Sequence, residues 1–308
     1  MGDGRTRVLV AGATGYIGGG VARALHEAGF WVRALARDAA RLADPAWYDD
    51  VFIGQATRPA TLKGLCDGVD TVFSSIGIHS FTRRPTLWEV DYQANLNILE
   101  EAKASGVEHF VFVSVLHAER AARATPLADA RNRVSHAIVN SGLDYNIFEP
   151  TACFNDMKMF FEGAKSRGIV RLFGDGTDLV NPLCASDLGE EVVRVIQDRS
   201  LRNQVREVGG CETLSYRQMA ELAFQAVGKP ADVRTNPLVT PWMLDKLAWG
   251  LRPFNYNAFA LLKYFAFALG IHDMRAAPIG RRRLGPFLQR VAVGQSMAEA
   301  ENDAVVNP

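Results

Sequence analysis

"VLVAGATGYIGGGVARAL", residues 8–25, decides how this chain is to be read. A short apolar run leads into Gly12, Gly15 and Gly18, spaced G-x-x-G-x-x-G, and a helical pattern follows. The run predicts a buried strand, and the residues after the glycines predict a helix. At such a junction each glycine has its own task. Gly12 lets the chain turn sharply, Gly15 lets backbone approach a pyrophosphate, and Gly18 lets the helix lie close to the sheet. The helix then presents its unpaired N–H groups and positive dipole end to the anion. Thr14, Tyr16 and Ile17, between and beside the glycines, belong to the same expected contact. A glycine-rich turn without a ligand is the plainer alternative; the position at the first strand–helix junction favours dinucleotide binding.

The alternation continues outward. "RVLVAG", "WVRALA", "DVFIG", "DTVFSSIG", "HFVFVSV" and "DYNIFEP" are short runs rich in Val, Ile and Phe, as expected of parallel strands buried on both faces. Helical patterns over Tyr16–Ala28, Pro59–Cys66, Trp88–Ala104 and Ala128–Asn140 separate them. Strand and helix in turn define an α/β fold, a Rossmann-type doubly wound parallel sheet, over residues 1–152. Residues 153–308 are expected mainly to form a smaller C-terminal substrate lobe, with segments near 178–212 returning to the sheet. "VREVGG" reads as the returning strand and "SYRQMAELAFQAVGKP" as a capped amphipathic helix. The last stretch, residues 296–308, reads as frayed.

Composition excludes several classes. Lys plus Arg and Asp plus Glu both total 34, so no polyelectrolyte signature marks a nucleic-acid partner. Cys66, Cys153, Cys184 and Cys211 lie far apart with no C-x-x-C, and the His residues are scattered. Neither a disulfide framework nor a metal site is expected, and the pattern suits a reduced, cytoplasmic protein. "MGDGRTRVLV" holds no apolar targeting segment.

The second strand bears on the choice of dinucleotide. An acidic residue at its end would accept the ribose 2′-hydroxyl of NAD, whereas a cation would hold the 2′-phosphate of NADP. Arg37 stands at that rim, with Asp38 behind it and Arg41 one helical turn on. NADP(H) is therefore the expected cofactor; ribose binding by Asp38, with Arg37 an ordinary surface charge, is the alternative.

"GATGYIGGGV", "VDYQANLNILEEAKASGVEHFVFVSV", "NSGLDYNIFEPTACFNDM" and "LFGDGTDLVNPLCASDLGEEV" together resemble the atypical short-chain dehydrogenases. The similarity is to the NmrA-like reductases, in particular their divinyl chlorophyllide reductase-like branch, and runs from about Arg7 to Gly228. It implies an NADP-binding Rossmann domain with a variable substrate lobe. It also implies that Ser74–Gly77 (with Ser75 and Gly77 as contacts), Ser114 and the Pro150–Phe154 loop border the nicotinamide. Gln55 stands where relatives often carry an adenine-contacting Asp, and its amide can serve an adenine edge. Glu149-Pro150 replaces a frequent Arg-Pro.

One departure reaches the chemistry. In "PLADARNRVSHAIVNSGLDY", residues 126–145, Leu127 and Arg131 occupy the places of the Tyr and Lys of active relatives. Ketone reduction concentrates charge on one oxygen, where a positioned acid is worth roughly two to four orders of magnitude. A conjugated C=C spreads that charge, so loss of the Tyr suits ene-type reduction better. Arg131 would keep a cation near the nicotinamide ribose but cannot shuttle a proton. Ser114 is placed to hydrogen-bond substrate or cofactor, or simply to cap its strand. His117, in the next loop, is either a proton donor or a solvated side chain.

"PFNYNAFALLKYFAFALGI", residues 253–271, carries one charge, Lys263. Its apolar residues surround the helix, so the segment is expected to be a core helix, a homodimer contact, a lid over an apolar substrate or a peripheral foot on a membrane. The basic run Arg281, Arg282 and Arg283 would meet lipid phosphates or water. The reading that results is an NADPH-dependent reductase of a bulky, apolar, conjugated small molecule, with Ser114, His117 and Arg131 as catalytic candidates. A cofactor-holding redox sensor or assembly module, and a non-redox isomerase or cyclase, stand as alternatives.

Overall fold

The computed structural model describes residues 4–78, 81–236 and 239–305. The strands are β1 (Arg7–Ala11), β2 (Trp31–Ala36), β3 (Asp50–Ile53), β4 (Thr71–Ser74), β5 (His109–Val113), β6 (Asp144–Pro150), β7 (Val170–Phe173), β8 (Leu179–Val180), β9 (Gln204–Gly209), β10 (Leu214–Ser215), β11 (Val233–Asn236), β12 (Asp273–Met274) and β13 (Ala277–Pro278). The α-helices are α1 (Tyr16–Glu27), α2 (Asn95–Ala104), α3 (Ala118–Ala122), α4 (Pro126–Val139), α5 (Lys158–Glu162), α6 (Ala185–Gln197), α7 (Tyr216–Ala226), α8 (Pro241–Leu251), α9 (Tyr256–Ile271), α10 (Leu284–Ala292) and α11 (Met297–Asn302).

Eight strands form one parallel sheet in the order β13-β9-β6-β5-β4-β1-β2-β3. The period of two along each strand divides the core. Val8 and Val10 pack with Leu25 of α1 and Val192 of α6 on one face. Leu9 and Ala11 pack with Ile98 of α2 and Ile138 of α4 on the other. From β1 the order runs out to β2 and β3 on one side and to β4, β5 and β6 on the other. The crossovers therefore change face between β1 and β4, and a crevice opens at their carboxyl ends.

Helix α6 returns beneath the sheet and meets α1 backbone to backbone. A Cβ on Gly20 would stand 2.5 Å from the Ala185 Cβ, and one on Gly189 would stand 2.8 Å from the Ala24 Cβ. Beyond the sheet, a second core gathers Phe154, Phe160, Phe224 and Phe287 among α5, α7 and α10. Each such ring, fully buried, contributes about 1.5–3 kcal/mol. A smaller cluster joins α9 to the Rossmann layer, where Ala260 packs with Ile78, Leu87, Leu127 and Ala130.

Three expectations need correction. Pro59–Cys66 forms only one 3₁₀ turn, Pro59–Thr61, and Gly64 at φ +81° ends any helical continuation. Residues 296–305 are not frayed: Ser296 and Glu299 make a capping box at the head of α11, and Ala300, Glu301 and Ala304 are buried. Arg282 is neither solvated nor free for lipid. It is buried, pairs with Asp187 at 2.6 Å and Glu190 at 2.8 Å, and donates to the Glu301 carbonyl at 3.0 Å. The apolar run 253–271 becomes the 16-residue α9. Among the described residues, no helix is long and apolar enough to cross a membrane.

Candidate functional site

The glycine triplet sits at the mouth of the crevice with the geometry its spacing requires. Gly12 has φ +93°, and a Cβ there would stand 2.7 Å from the Ser75 Oγ. A Cβ on Gly18 would stand 2.1 Å from the Gly12 carbonyl oxygen, so only glycine lets α1 start this close to β1. Thr14 and Gly15 are exposed. No side chain caps α1 and no acidic residue lies in its first turn. Its leading N–H groups are left for an anion.

Beside the cradle, the loop after β4 rests on a buried ion pair. Arg131 of α4 donates from Nε to the Asp91 Oδ1 at 2.9 Å, and from Nη1 to the carbonyls of Val113 at 3.0 Å and Ser114 at 3.2 Å. The Asp91 Oδ2 accepts the N–H of Ile78 at 3.0 Å. A Cβ on Gly77 would collide with the Arg131 Nη2 at 1.8 Å. Burial pushes the Asp91 carboxyl above its ordinary range, against the pull of Arg131. Asn95 completes the support, accepting from the Ser74 hydroxyl at 2.6 Å and donating to the Ile76 carbonyl at 3.2 Å. Arg131 is thus committed inside the protein. Asp91 and Asn95 were not singled out in the sequence; two polar residues at i and i+4 in "VDYQANLN" were the available signal.

Ser114, at the carboxyl end of β5, is the opposite case. It is buried, and its Oγ has no hydrogen-bond partner among the described residues. A buried hydroxyl left unpaired is costly, so this one fits a polar group of a ligand. His117 takes the left-handed conformation at φ +55°, heads α3, and brings its Nδ1 to 2.6 Å from the Glu207 Oε1. Glu207 is the β9 register partner of Glu149 on β6. Glu149 is buried and accepts the Ala118 N–H at 3.1 Å. Burial, with Glu207 adding to it, pushes the Glu149 carboxyl up to about 7, against the Ala118 hydrogen bond and the field of His117. Across from this group the Tyr264 hydroxyl of α9 donates to the Leu116 carbonyl at 3.2 Å. Tyr264 packs against the apolar cluster that contains Leu127. Burial raises its phenol, and Arg131 pulls it back down.

The remaining expected contacts divide. Arg37 is exposed at the end of β2 and makes no ion pair or hydrogen bond through its side chain among the described residues. One Asp38 carboxylate oxygen caps the next turn, accepting the Ala40 N–H at 3.0 Å. Gln55, half-buried after β3, donates its side-chain amide to the Thr57 hydroxyl at 2.9 Å. The Tyr16 hydroxyl donates to the Glu301 carboxylate and accepts the Ala185 N–H. Phe154 buries its ring against Phe287, with 5.1 Å between centroids, in the lobe core. Pro150 closes β6 in a buried position. A groove of about 830 Å³ opens at the opposite edge of the sheet, lined by Arg7, Phe30, Asp70, Glu108 and Arg202. It faces the amino ends of the strands and is not the dinucleotide crevice.

A parallel doubly wound sheet with a glycine cradle at its switch point defines a dinucleotide-binding Rossmann protein. The family described as NAD(P)H-binding matches residues 12–165, half of the chain, and the protein belongs to it. It is similar to the chloroplastic divinyl chlorophyllide a 8-vinyl-reductase of Oryza sativa subsp. indica, at 27% identity over 79% of this chain and 65% of that protein. The chain thus spans just under two thirds of that relative. It is also similar to the photosystem II assembly factor Ycf39 of Synechocystis sp., at 23% identity over 75% of this chain and 71% of that one. The NAD(P)H azoreductase of Xenophilus azovorans is 27% identical over 72% of this chain and 74% of its own length. The NADPH-dependent quinone oxidoreductase QOR2 of Escherichia coli, solved with NADPH, shares the fold. Its TM-score is 0.67 at 19% identity, over 96% of this chain and 98% of that one.

Proposed function

We propose that the protein is an NADPH-dependent reductase that delivers hydride to a bulky, apolar, conjugated acceptor. The observation that carries this reading is the unpaired, buried Ser114 hydroxyl after β5, at the same carboxyl end of the sheet as the uncapped glycine cradle. Two of the relatives above are named as reductases, of a chlorophyllide vinyl group and as an azoreductase, which supports it. Bound NADPH would supply the hydride. Gly12, Gly15 and Gly18 hold the diphosphate, and Arg37 holds the 2′-phosphate with a charge-assisted hydrogen bond. Ser114 orients the nicotinamide or the acceptor. Arg131 acts as a positioning residue, fixing the Gly77 loop through Asp91. The apolar cluster of Ile78, Leu127 and Ala260 adjoins the Gly77 loop, which suits an extended π system. Leu127 supplies no acid, so the proton comes from Glu149, Tyr264 or water. Delocalisation of the developing charge lowers the demand on that acid.

Calorimetric titration with NADPH and NADH, followed by NADPH oxidation with a naphthoquinone, an azo dye and a vinyl-substituted tetrapyrrole, tests the reading. Tighter NADPH binding and acceptor-dependent oxidation are expected. Tight binding with no oxidation by any of the three would overturn the reductase and favour a cofactor-holding assembly module. The commitment of Arg131 to a structural pair, and the likeness to a protein named as an assembly factor, support that second reading.

A further inference from the structure

Helices α8 and α9 form a hairpin whose two sides differ in character. The inner side closes on the candidate site through Ala260 and Tyr264 of α9. The outer side belongs to α8. At about 100° per residue, Trp249, Trp242, Lys246, Gly250, Met243 and Leu247 fall in that order on one arc of roughly 160°. All six are exposed, Trp242 at 67% and Leu247 at 55%. Leu244 and Ala248, on the opposite arc, are buried. The helix packs through Leu244 and Ala248 alone and turns Trp242, Met243, Leu247 and Trp249 to the outside, the reverse of a solvent-facing helix.

The charges that α8 and its C-terminal end turn outward, Lys246 and Arg252, are both cations. The acidic residue of α8, Asp245, turns inward to Lys263 of α9. Lys246 lies 5.7 Å from the Trp242 ring centroid, and the Arg252 guanidinium 5.1 Å from that of Trp249. The turn between the helices carries Phe254, 69% exposed. Asn255 and Asn257 bind a neighbouring loop to that turn, donating to the carbonyls of Phe81 at 2.5 Å, Thr82 at 2.7 Å and Pro85 at 2.9 Å. That loop adds exposed Phe81 and Arg83, and Arg84, which pairs with Glu89 at 3.3 Å. The result is a continuous edge of indole, benzyl and aliphatic groups interleaved with cations. Indoles prefer the headgroup level of a bilayer, long cationic stems reach from there to lipid phosphates, and a juxtamembrane Lys or Arg is worth about 1 kcal/mol against an anionic leaflet.

We propose that the outer face of α8, the α8–α9 turn and the Phe81–Pro85 loop seat the protein on the surface of an anionic lipid bilayer. This inference does not depend on the reaction proposed above. Sedimentation of the full chain with vesicles of phosphatidylglycerol and phosphatidylcholine, against phosphatidylcholine alone, tests it. Binding to the anionic vesicles is expected, weakened by salt, with quenching of tryptophan emission by lipids brominated near the headgroup. Lys246→Glu and Arg252→Glu change only exposed side chains, and each should weaken partition about tenfold. Trp242→Ser with Phe254→Ser should abolish it. Thermal melting and NADPH binding check that every variant is folded. No binding to anionic vesicles at low salt overturns the proposal, as does binding that these variants leave unchanged. A wild-type dimer that Trp242→Ser turns into monomer, without vesicle binding, also overturns it and assigns the face to a second copy of the chain.

Discussion

Arg131 and Asp91, 40 residues apart in the chain, meet at 2.9 Å in a buried ion pair pressed against Gly77. The pair joins α4, the loop after β4 and the end of β5, the three segments that border the crevice between β1 and β4. A cation at position 131 therefore acts here through what it holds in place. Glycine is required at 77 because any larger residue would occupy the space of the guanidinium.

Removing that cation should cost stability first. Arg131→Met leaves the Asp91 carboxylate buried without its partner, and urea unfolding should show a loss of about 3–5 kcal/mol. Arg131→Lys restores charge but not the forked donors to Val113 and Ser114, so a loss of about 1–2 kcal/mol is expected. If Arg131→Met instead weakened NADPH binding and left the urea midpoint unchanged, the side chain would belong to the cofactor and not to the frame.

Arg37 should behave in the opposite way. It is exposed at the rim of β2, so Arg37→Ala should leave the melting temperature within the error of the measurement. Loss of a charge-assisted hydrogen bond to a 2′-phosphate is worth about 1.5–3 kcal/mol, or roughly 10- to 150-fold in Kd. Calorimetry should show that weakening for NADPH and none for NADH. Equal weakening of both nucleotides would place the 2′-phosphate elsewhere.

Glu149 makes a prediction about pH. Its carboxyl is pushed from 4.5 up to about 7, so the folded protein holds this proton more tightly than the unfolded chain does. The stabilisation linked to that proton is fully present below about 4.5 and is lost as pH rises through about 7. Glu207, His117 and Glu119 face the same carboxyl, the two glutamates raising it and His117 lowering it. Relative to Glu149→Gln, the natural protein should lose on the order of 2–3 kcal/mol between pH 5 and pH 8. Parallel stability curves for the two proteins across that range would refute the shift. Acceptor reduction should fall across the same window if this carboxyl supplies the proton, and Glu149→Gln should remove that dependence.

The sequence carried the frame of this site in legible form, because strand periodicity and glycine spacing are local properties. The crevice, the cradle and the exposed rim at Arg37 all followed from residues close together in the chain. What it hid were partnerships across long separations. Leu127 and Arg131 were read against a pattern, but nothing near them announces Asp91, or a tyrosine returning from α9 to the same apolar cluster. Phe154 was expected at the nicotinamide loop, and its ring packs in the lobe core against Phe287, a partner 133 residues away in the chain. Pro59–Cys66 has helical spacing, but Gly64 adopts positive φ and the segment stops after one turn. The tail differs from its expectation for another reason. It is polar, yet Ser296 and Glu299 stand at capping-box spacing, which is a local helix-start signal in the sequence itself.

That tail makes the last prediction. The Glu301 carboxylate accepts the Ser186 N–H at 2.9 Å, the Ser186 hydroxyl at 2.5 Å and the Ala185 N–H at 3.3 Å, at the head of α6. It also accepts the Tyr16 hydroxyl from the first turn of α1, and burial together with this carboxylate raises the Tyr16 phenol well above its ordinary range. Helices α1 and α6 already touch through glycines, so Glu301 clamps the ends of two helices that cannot separate without exposing the core. Glu301→Ala leaves buried donors at both helix heads unpaired and should cost about 2–4 kcal/mol in urea unfolding. Deleting residues 296–308 should cost at least as much, because Arg282 then also loses the Glu301 carbonyl beside its pair with Asp187. A frayed tail would be removed with a change below about 0.5 kcal/mol, the range typical of exposed substitutions. Such a result would mean that the clamp does not form in solution, and that the two helix heads are satisfied by water.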